Sequence, residues 1–246
     1  MLLYRYLAIT FLFILLPFAL FAQSFNKAIN KDSLLNAVVA DLPDTIRNNV
    51  LEVYHAGTES DREFLLMLLA MPRSSKTELI KNIDTNYASV SNLRTEYAKI
   101  VPKGLIVSIE FNPKNYIAAM DETIDMEIVD SSRSDSNRIM REWQMGYHSY
   151  KLKKFLDRLK WDNNTLVKIK GLLDAAHCVS IENGAITTIG YQRSGMGKYF
   201  YDLFDHDLTS NEEIKKYNDA CMYIFYKKNI VLEYGSGATG SMCFPD

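Results

Sequence analysis

The apolar pattern predicts an α+β protein, with an N-terminal helical segment followed by an antiparallel sheet of about six strands carrying packed helices. Three observations predict it. Apolar residues keep helical spacing from Ser24 to Val101. Beyond Pro102-Lys-Gly104 the period falls to two, with Leu105, Val107, Ile109 and Phe111 on one side of a strand. The C-terminal half then holds two stretches, within Asn163–Gly237, in which a helical stripe runs into an apolar hairpin.

The chain opens on an export signal over residues 1–22. Arg5 supplies the basic start, Leu7–Ala22 is uncharged and apolar, and Ala22 precedes Gln23-Ser24. The alternative is an uncleaved anchor, since the apolar run approaches the length that spans a bilayer; Pro17 and the short apolar core favour cleavage. Cleavage would leave 224 of the 246 residues, enough for a buried core. The leader holds one of the 28 basic residues and none of the 30 acidic ones, so the remainder stands at −3. A near-neutral balance without a basic stripe excludes nucleic acid as the main partner, and no segment after the leader reads as membrane-spanning.

The helical region, residues 23–101, divides at Pro43 and Pro72. Ser60-Asp-Arg-Glu63 and Ser75-Lys-Thr-Glu78 fit capping boxes, the second opening a long helix. Along that helix Leu79, Ile83, Tyr87, Val90, Tyr97 and Val101 form a narrow seam broken at Arg94, which suits a helical hairpin or a homodimer through residues 75–101.

Residues 102–246 form the sheet region, possibly continuous with the helices. Ile124, Met126 and Ile128 mark a second half-exposed strand, and Ser131–Ser136 reads as a polar tip. Asn137–Tyr150 is ambiguous: Ile139, Met140, Trp143 and Tyr147 keep helical spacing, while Gly146 weakens it. Leu152–Leu159 and Leu166–Ala176 read as helices. Asn183-Gly184 signals a two-residue hairpin that pairs Glu182 with Ala185 and Ile181 with Ile186. The run Met222–Tyr226, with Ile230, Leu232 and Tyr234, should be central in the sheet or covered on both faces.

The three cysteines, 178, 221 and 243, all follow the leader, and an oxidising compartment permits one disulfide. The second hairpin returns the chain toward Cys221, which favours Cys221–Cys243; Cys178–Cys221 is the alternative. The segment joining the two units, Gln192–Lys198, combines two glycines with a hydroxyl and two cations. Arg193, Ser194 and His206 are the catalytic candidates for a hydrolase-like site there, and Tyr191, Lys198 and Tyr201 the candidates for holding a ligand. The segment lacks the spacing of a phosphate loop or a nucleophile elbow. Asp205-His206-Asp207 has no second histidine at ligand spacing, so neither metal nor cofactor is expected. His177-Cys178 lacks the geometry of a catalytic pair, because chain neighbours at a helix-to-strand junction point apart. The expectation is therefore an exported, non-enzymatic module that binds a protein, peptide or glycan, with a hydrolase-like or small-ligand site along Arg193–His206 as the alternative.

Overall fold

The computed structural model describes residues 25–115, 117, 121–131, 137–195, 197–219, 221–236 and 243–245. The expected leader over residues 1–22, most of the expected polar tip, at 132–136, and the glycine-rich stretch 237–240 lie outside them. Two compact units emerge, one from the described residues of Met1–Met67 and Asn115–Met120, the other from Leu68–Lys114 and Asp121–Asp246.

The first unit is built on α1 (Lys31–Val39), α2 (Asp44–Ala56) and most of α3 (Glu59–Leu69). Phe25, Leu35, Val39, Tyr54 and Leu66 form its small core. Lys31 bridges Glu59 and Glu63, tying α1 to α3. The predicted cap of α3 shifts by two residues. Thr58, not Ser60, trades hydrogen bonds with Asp61, the Asp61 carboxylate accepting from the Thr58 N–H at 2.9 Å. An acid three residues after a hydroxyl satisfies two orphan amides as a glutamate would.

The second unit carries α4 (Lys76–Ile100), β1 (Leu105–Asn112), β2 (Thr123–Asp130), β3 (Asn137–Met145), α5 (Tyr150–Leu159), α6 (Asn163–Ala175), β4 (Ser180–Glu182), β5 (Thr187–Ser194), β6 (Gly197–Leu203), α7 (Asn211–Lys216), β7 (Tyr223–Lys227) and β8 (Ile230–Ser236). The strands form one antiparallel sheet of eight, in the order β3-β2-β1-β4-β5-β6-β8-β7. This corrects the expected six. Asn137–Met145 is a strand, its helical spacing overridden by pairing with β2. Arg193–Lys198 is the tight end of a β5–β6 hairpin and not a free loop, with Arg193 opposite Lys198 and Gly195 at φ +59° between them.

The Asn183-Gly184 expectation also gives way. Glu182 pairs with Thr188 and Ile181 with Ile189, so the turn is wider by three residues. The cause is the Asn183 side chain, which accepts from the Val107 N–H at 2.8 Å and donates to the Leu105 carbonyl at 3.0 Å. It continues the β1 ladder instead of making a tight turn. The second hairpin is covered on both faces as its composition requires, yet β7 is an edge strand. Ile224 and Tyr226 pack on the main core, whereas Tyr223 and Phe225 meet Phe204, Leu208 and Tyr217 in a small second one.

One face of the sheet meets α4, α5 and α6. The Ser75–Glu78 capping box starts α4 as predicted. Its seam residues Leu79, Ile83, Val90 and Tyr97 are fully buried beside Val107, Ile109, Ile128, Ile189 and Leu232. The seam that suits a second copy is thus spent on the chain's own core. Tyr97 donates to the Val107 carbonyl at 3.0 Å, and Tyr201 to the Leu79 carbonyl at 2.8 Å, so these buried rings keep partners for their hydroxyls.

Cys221 and Cys243 form the disulfide, and Cys178 stays a buried free thiol. The Cys178–Cys221 alternative is not formed: Cys178 is packed in the main core and its thiol donates to the Ala176 carbonyl at 3.3 Å.

Candidate functional site

Strand alternation sends every second side chain to the sheet face away from α4–α6. The register aligns those side chains into two rows. One runs Glu127, Ser108, Glu182, Thr188, Asp202, Val231, Phe225 from β2 to β7, with Arg141 of β3 at its head. The neighbouring row runs Asp125, Glu110, Ser180, Gly190, Phe200, Glu233, Tyr223. A face this rich in carboxylates and hydroxyls is not needed to hold a sheet together.

Glu110 is its central anchor. Lys198 donates to one carboxylate oxygen at 2.7 Å and Arg193 to the other at 2.7 Å, while Arg193 also reaches Asn112 at 3.2 Å. Burial pushes the Glu110 carboxyl up, but Lys198 and Arg193 outweigh it and hold it below its ordinary value. The same burial draws the Lys198 ammonium below its ordinary value against the pull of Glu110. Lys198 starts on β6 and reaches β1 by crossing β5 over Gly190, meeting the Ser180 hydroxyl at 3.2 Å on the way. A Cβ at Gly190 would overlap the Ser180 hydroxyl and crowd the lysine stem. Glycine is therefore the residue that lets the cation through.

Toward β8 the face becomes acidic. Asp202 and Glu233 lie on adjacent strands and hydrogen-bond to each other, and the Thr188 hydroxyl donates to Asp202 at 2.8 Å. The apolar wall of Val231, Tyr223, Phe225 and Phe204 flanks them. Burial, then the charge of Asp202, pushes the Glu233 carboxyl up to about 8. Burial also raises Asp202 and Glu182, the latter with help from the charge of Glu127. Two carboxyls that hydrogen-bond need a proton between them, so the pair holds one near neutral pH.

The opposite end is aromatic. Between β2 and β3 the pairing slips, Ile124 facing Met145 and Met126 facing Glu142, which inserts one extra residue into β3. Gln144 takes φ +54° there, and its N–H donates to Asp125 at 2.6 Å. Such a bulge re-aims the side chain beside it. Trp143 is 55% exposed, with the Arg141 guanidinium 4.4 Å from its ring centroid. Arg141 and Arg138 both hold Glu127, at 3.2 and 2.5 Å. Trp143, Arg141, Ser108, Glu110, Asp125 and Glu127 line a shallow hollow of about 110 Å³.

Of the residues predicted from sequence, Arg193 and Lys198 converge on Glu110. Ser194 does not join them; its hydroxyl donates to the Ser74 carbonyl at 2.8 Å. His206 faces Glu213 at 3.3 Å in the segment before α7. Tyr201 is buried in the main core, and Tyr191, half-buried, packs 6.1 Å from it on the helix side. Tyr191 borders a hollow of about 340 Å³ with His177, Gln192 and Asn82, and His177 and Cys178 line another of about 260 Å³. Burial pushes the Cys178 thiol up to about 12, so it supplies no nucleophile. Among the described residues no group of histidine, cysteine and carboxylate side chains is placed to hold a metal ion.

Sequence reasoning missed Glu110, Glu182, Asp202, Glu233, Asp125 and Trp143 as members of one site. The available signal was the polar half of each alternating strand, Ser108 and Glu110 above all; joining the halves needed the register. No protein-family model matches the chain, and no curated protein or solved structure gives a significant match to it.

Proposed function

We propose that this chain is an exported, non-catalytic binding module that takes a protein, peptide or glycan on the open face of its sheet. The observation that carries the reading is the two cross-strand rows from Trp143 to Glu233. Their ion pairs are half-buried yet reach no helix, and their aromatic end stands in solvent. Ion pairs in such a place contribute little net stability, whereas a face pre-set with donors, acceptors and a rigid aromatic lowers the ordering cost of a ligand. Export is supported by the leader pattern and by the Cys221–Cys243 disulfide, which persists in an oxidising compartment. Among the described residues no helix is long and apolar enough to cross a membrane.

The test is an amide NMR titration of the chain lacking residues 1–22 with peptide pools and soluble glycans. Shifts should map to β1, β2, β5 and β6, and Trp143→Ala or Lys198→Met should weaken the binding they report while His206→Ala does not. Shifts confined to α4–α6, or untouched by both open-face variants, would overturn the proposal.

A hydrolytic reading has one observation in its favour. Asp202 and Glu233 pair one protonated with one ionised carboxyl, the arrangement of general acid and base, and Asp202 falls within Arg193–His206. Turnover of a glycan or peptide substrate that Glu233→Gln eliminates would replace the module reading with this one.

A further inference from the structure

The Trp143 hollow has a chemistry that selects among ligands. Its carboxylates are already answered: Glu127 by Arg138 and Arg141, Glu110 by Arg193 and Lys198, and Asp125 by the Gln144 N–H. A strongly cationic or anionic ligand would have to break those pairs. The Ser108 hydroxyl is likewise engaged, by Glu182. What remains on offer is a set of fixed carboxylate lone pairs, guanidinium edges and an exposed indole. That combination matches a ligand with many hydroxyls and one apolar C–H face.

The backbone supports the same reading. Gln144 is a non-glycine residue held at positive φ beside Trp143, at the extra residue that a bulge inserts into β3. The bulge turns the indole out onto the open face, while the Asp125 carboxylate that fixes the bulge also lines the hollow.

Resting on the open-face reading above, we infer that the Trp143 hollow binds an uncharged carbohydrate, one pyranose stacking on the indole with its hydroxyls donating to Asp125, Glu110 and Glu127. Asp125 is both the positioning residue for Trp143 and a ligand contact. The hollow takes one ring, so a longer glycan continues along the rows toward Ser180 and Phe200.

Tryptophan fluorescence tests this directly, because the chain has two tryptophans and Trp161 is buried. The probes are soluble tetrasaccharides of β-1,4-glucose, β-1,4-xylose, β-1,4-N-acetylglucosamine and α-1,4-glucose. At least one should give a saturable blue shift and protect the emission from acrylamide. Trp143→Phe should retain binding, read by NMR, and Trp143→Ala should weaken it by about tenfold, the weight of one aromatic contact. Asp125→Ala should weaken it as well, and Lys168→Ala, on a helix behind the sheet where it pairs with Glu96, should leave it unchanged. If no tetrasaccharide at about 10 mM, beyond the usual weak-binding range, moves the spectrum, the carbohydrate inference is overturned. Peptides that then shift the same open-face amides would leave the module reading standing; silence from both would remove the two together. Wild-type affinity in Trp143→Ala would also refute the placement.

Discussion

Raising the pH should destabilise the sheet unit through Asp202 and Glu233. Glu233 holds its proton up to about 8 in the fold, against an ordinary value of 4.5. An acid with a raised folded value contributes stability that is full below the unfolded value and lost as pH climbs through the folded one. The window is therefore about pH 4.5 to 8. Each decade is worth about 1.4 kcal/mol, which sets a ceiling of about 5 kcal/mol. Asp202 competes for the same proton and Glu233 is only half-buried, so an observed loss of about 2 kcal/mol between pH 5 and 8 is the expected size. Asp202 and Glu182, also raised, act with the same sign, whereas Glu110, held low, acts in more acidic solution. Urea unfolding at pH 5, 6.5 and 8, read by tryptophan emission, measures the loss. Glu233→Gln donates to Asp202 at every pH, so its curve should be flatter and cross above the wild type near pH 8. A wild-type stability that is flat or rises across this window, or a Glu233→Gln curve parallel to it, would refute the shared proton.

Three further outcomes follow from the packing. Intact mass should show one disulfide and one thiol, with Cys178 unreactive until unfolding; Cys243→Ser should cost about 3 kcal/mol, the closure entropy of a loop of some twenty residues. Gly190→Ala should cost about 1–3 kcal/mol, since the new methyl meets Ser180 and the Lys198 stem, and Ser180→Gly should recover part of it in the double variant. Lys198→Met leaves Glu110 with Arg193 as its remaining cation and should lower stability by about 3 kcal/mol, while the Lys198→Met/Glu110→Leu pair should recover most of that in a thermal melt.

Much of the fold is written locally. The capping box at Ser75, the alternation of Leu105–Phe111 and the short span from Cys221 to Cys243 each rest on a few neighbouring residues, and each holds. The failures share a cause, which is a partner distant in sequence. Ile139, Met140 and Trp143 carry helical spacing, yet β2 offers a ladder and their segment joins it as β3. Asn183 has the residue type of a turn, but its amide finds β1. Arg193–Lys198 looks like a loop because its glycines and cations are loop residues, while their use is to end a hairpin and carry two cations to Glu110. Part of the site was legible for the same reason. Arg193 and Lys198 stand out in composition, whereas Glu110, Asp202 and Glu233 are ordinary strand acids until the register sets them side by side.

The distribution of polar cost across the sheet argues for a working open face. On the helix side, buried polar atoms serve the fold directly: Tyr97, Tyr201 and Asn82 bond backbone or one another between α4 and the strands. On the open side, Lys198 and Glu110 are desolvated to pair with each other, and Asp202 and Glu233 are desolvated although both are acids. Apolar residues of similar volume would make this face more stable, as replacement of buried ion pairs in other settings does. Trp143 adds the complementary sign, an aromatic in water where a charged residue would protect the edge better. Stability is thus spent at one end of the rows and solubility at the other. Roughly 25–30 Å separates the two ends, at the usual strand spacing, so no single packing constraint explains both. A ligand laid across the strands, as proposed above, would account for both.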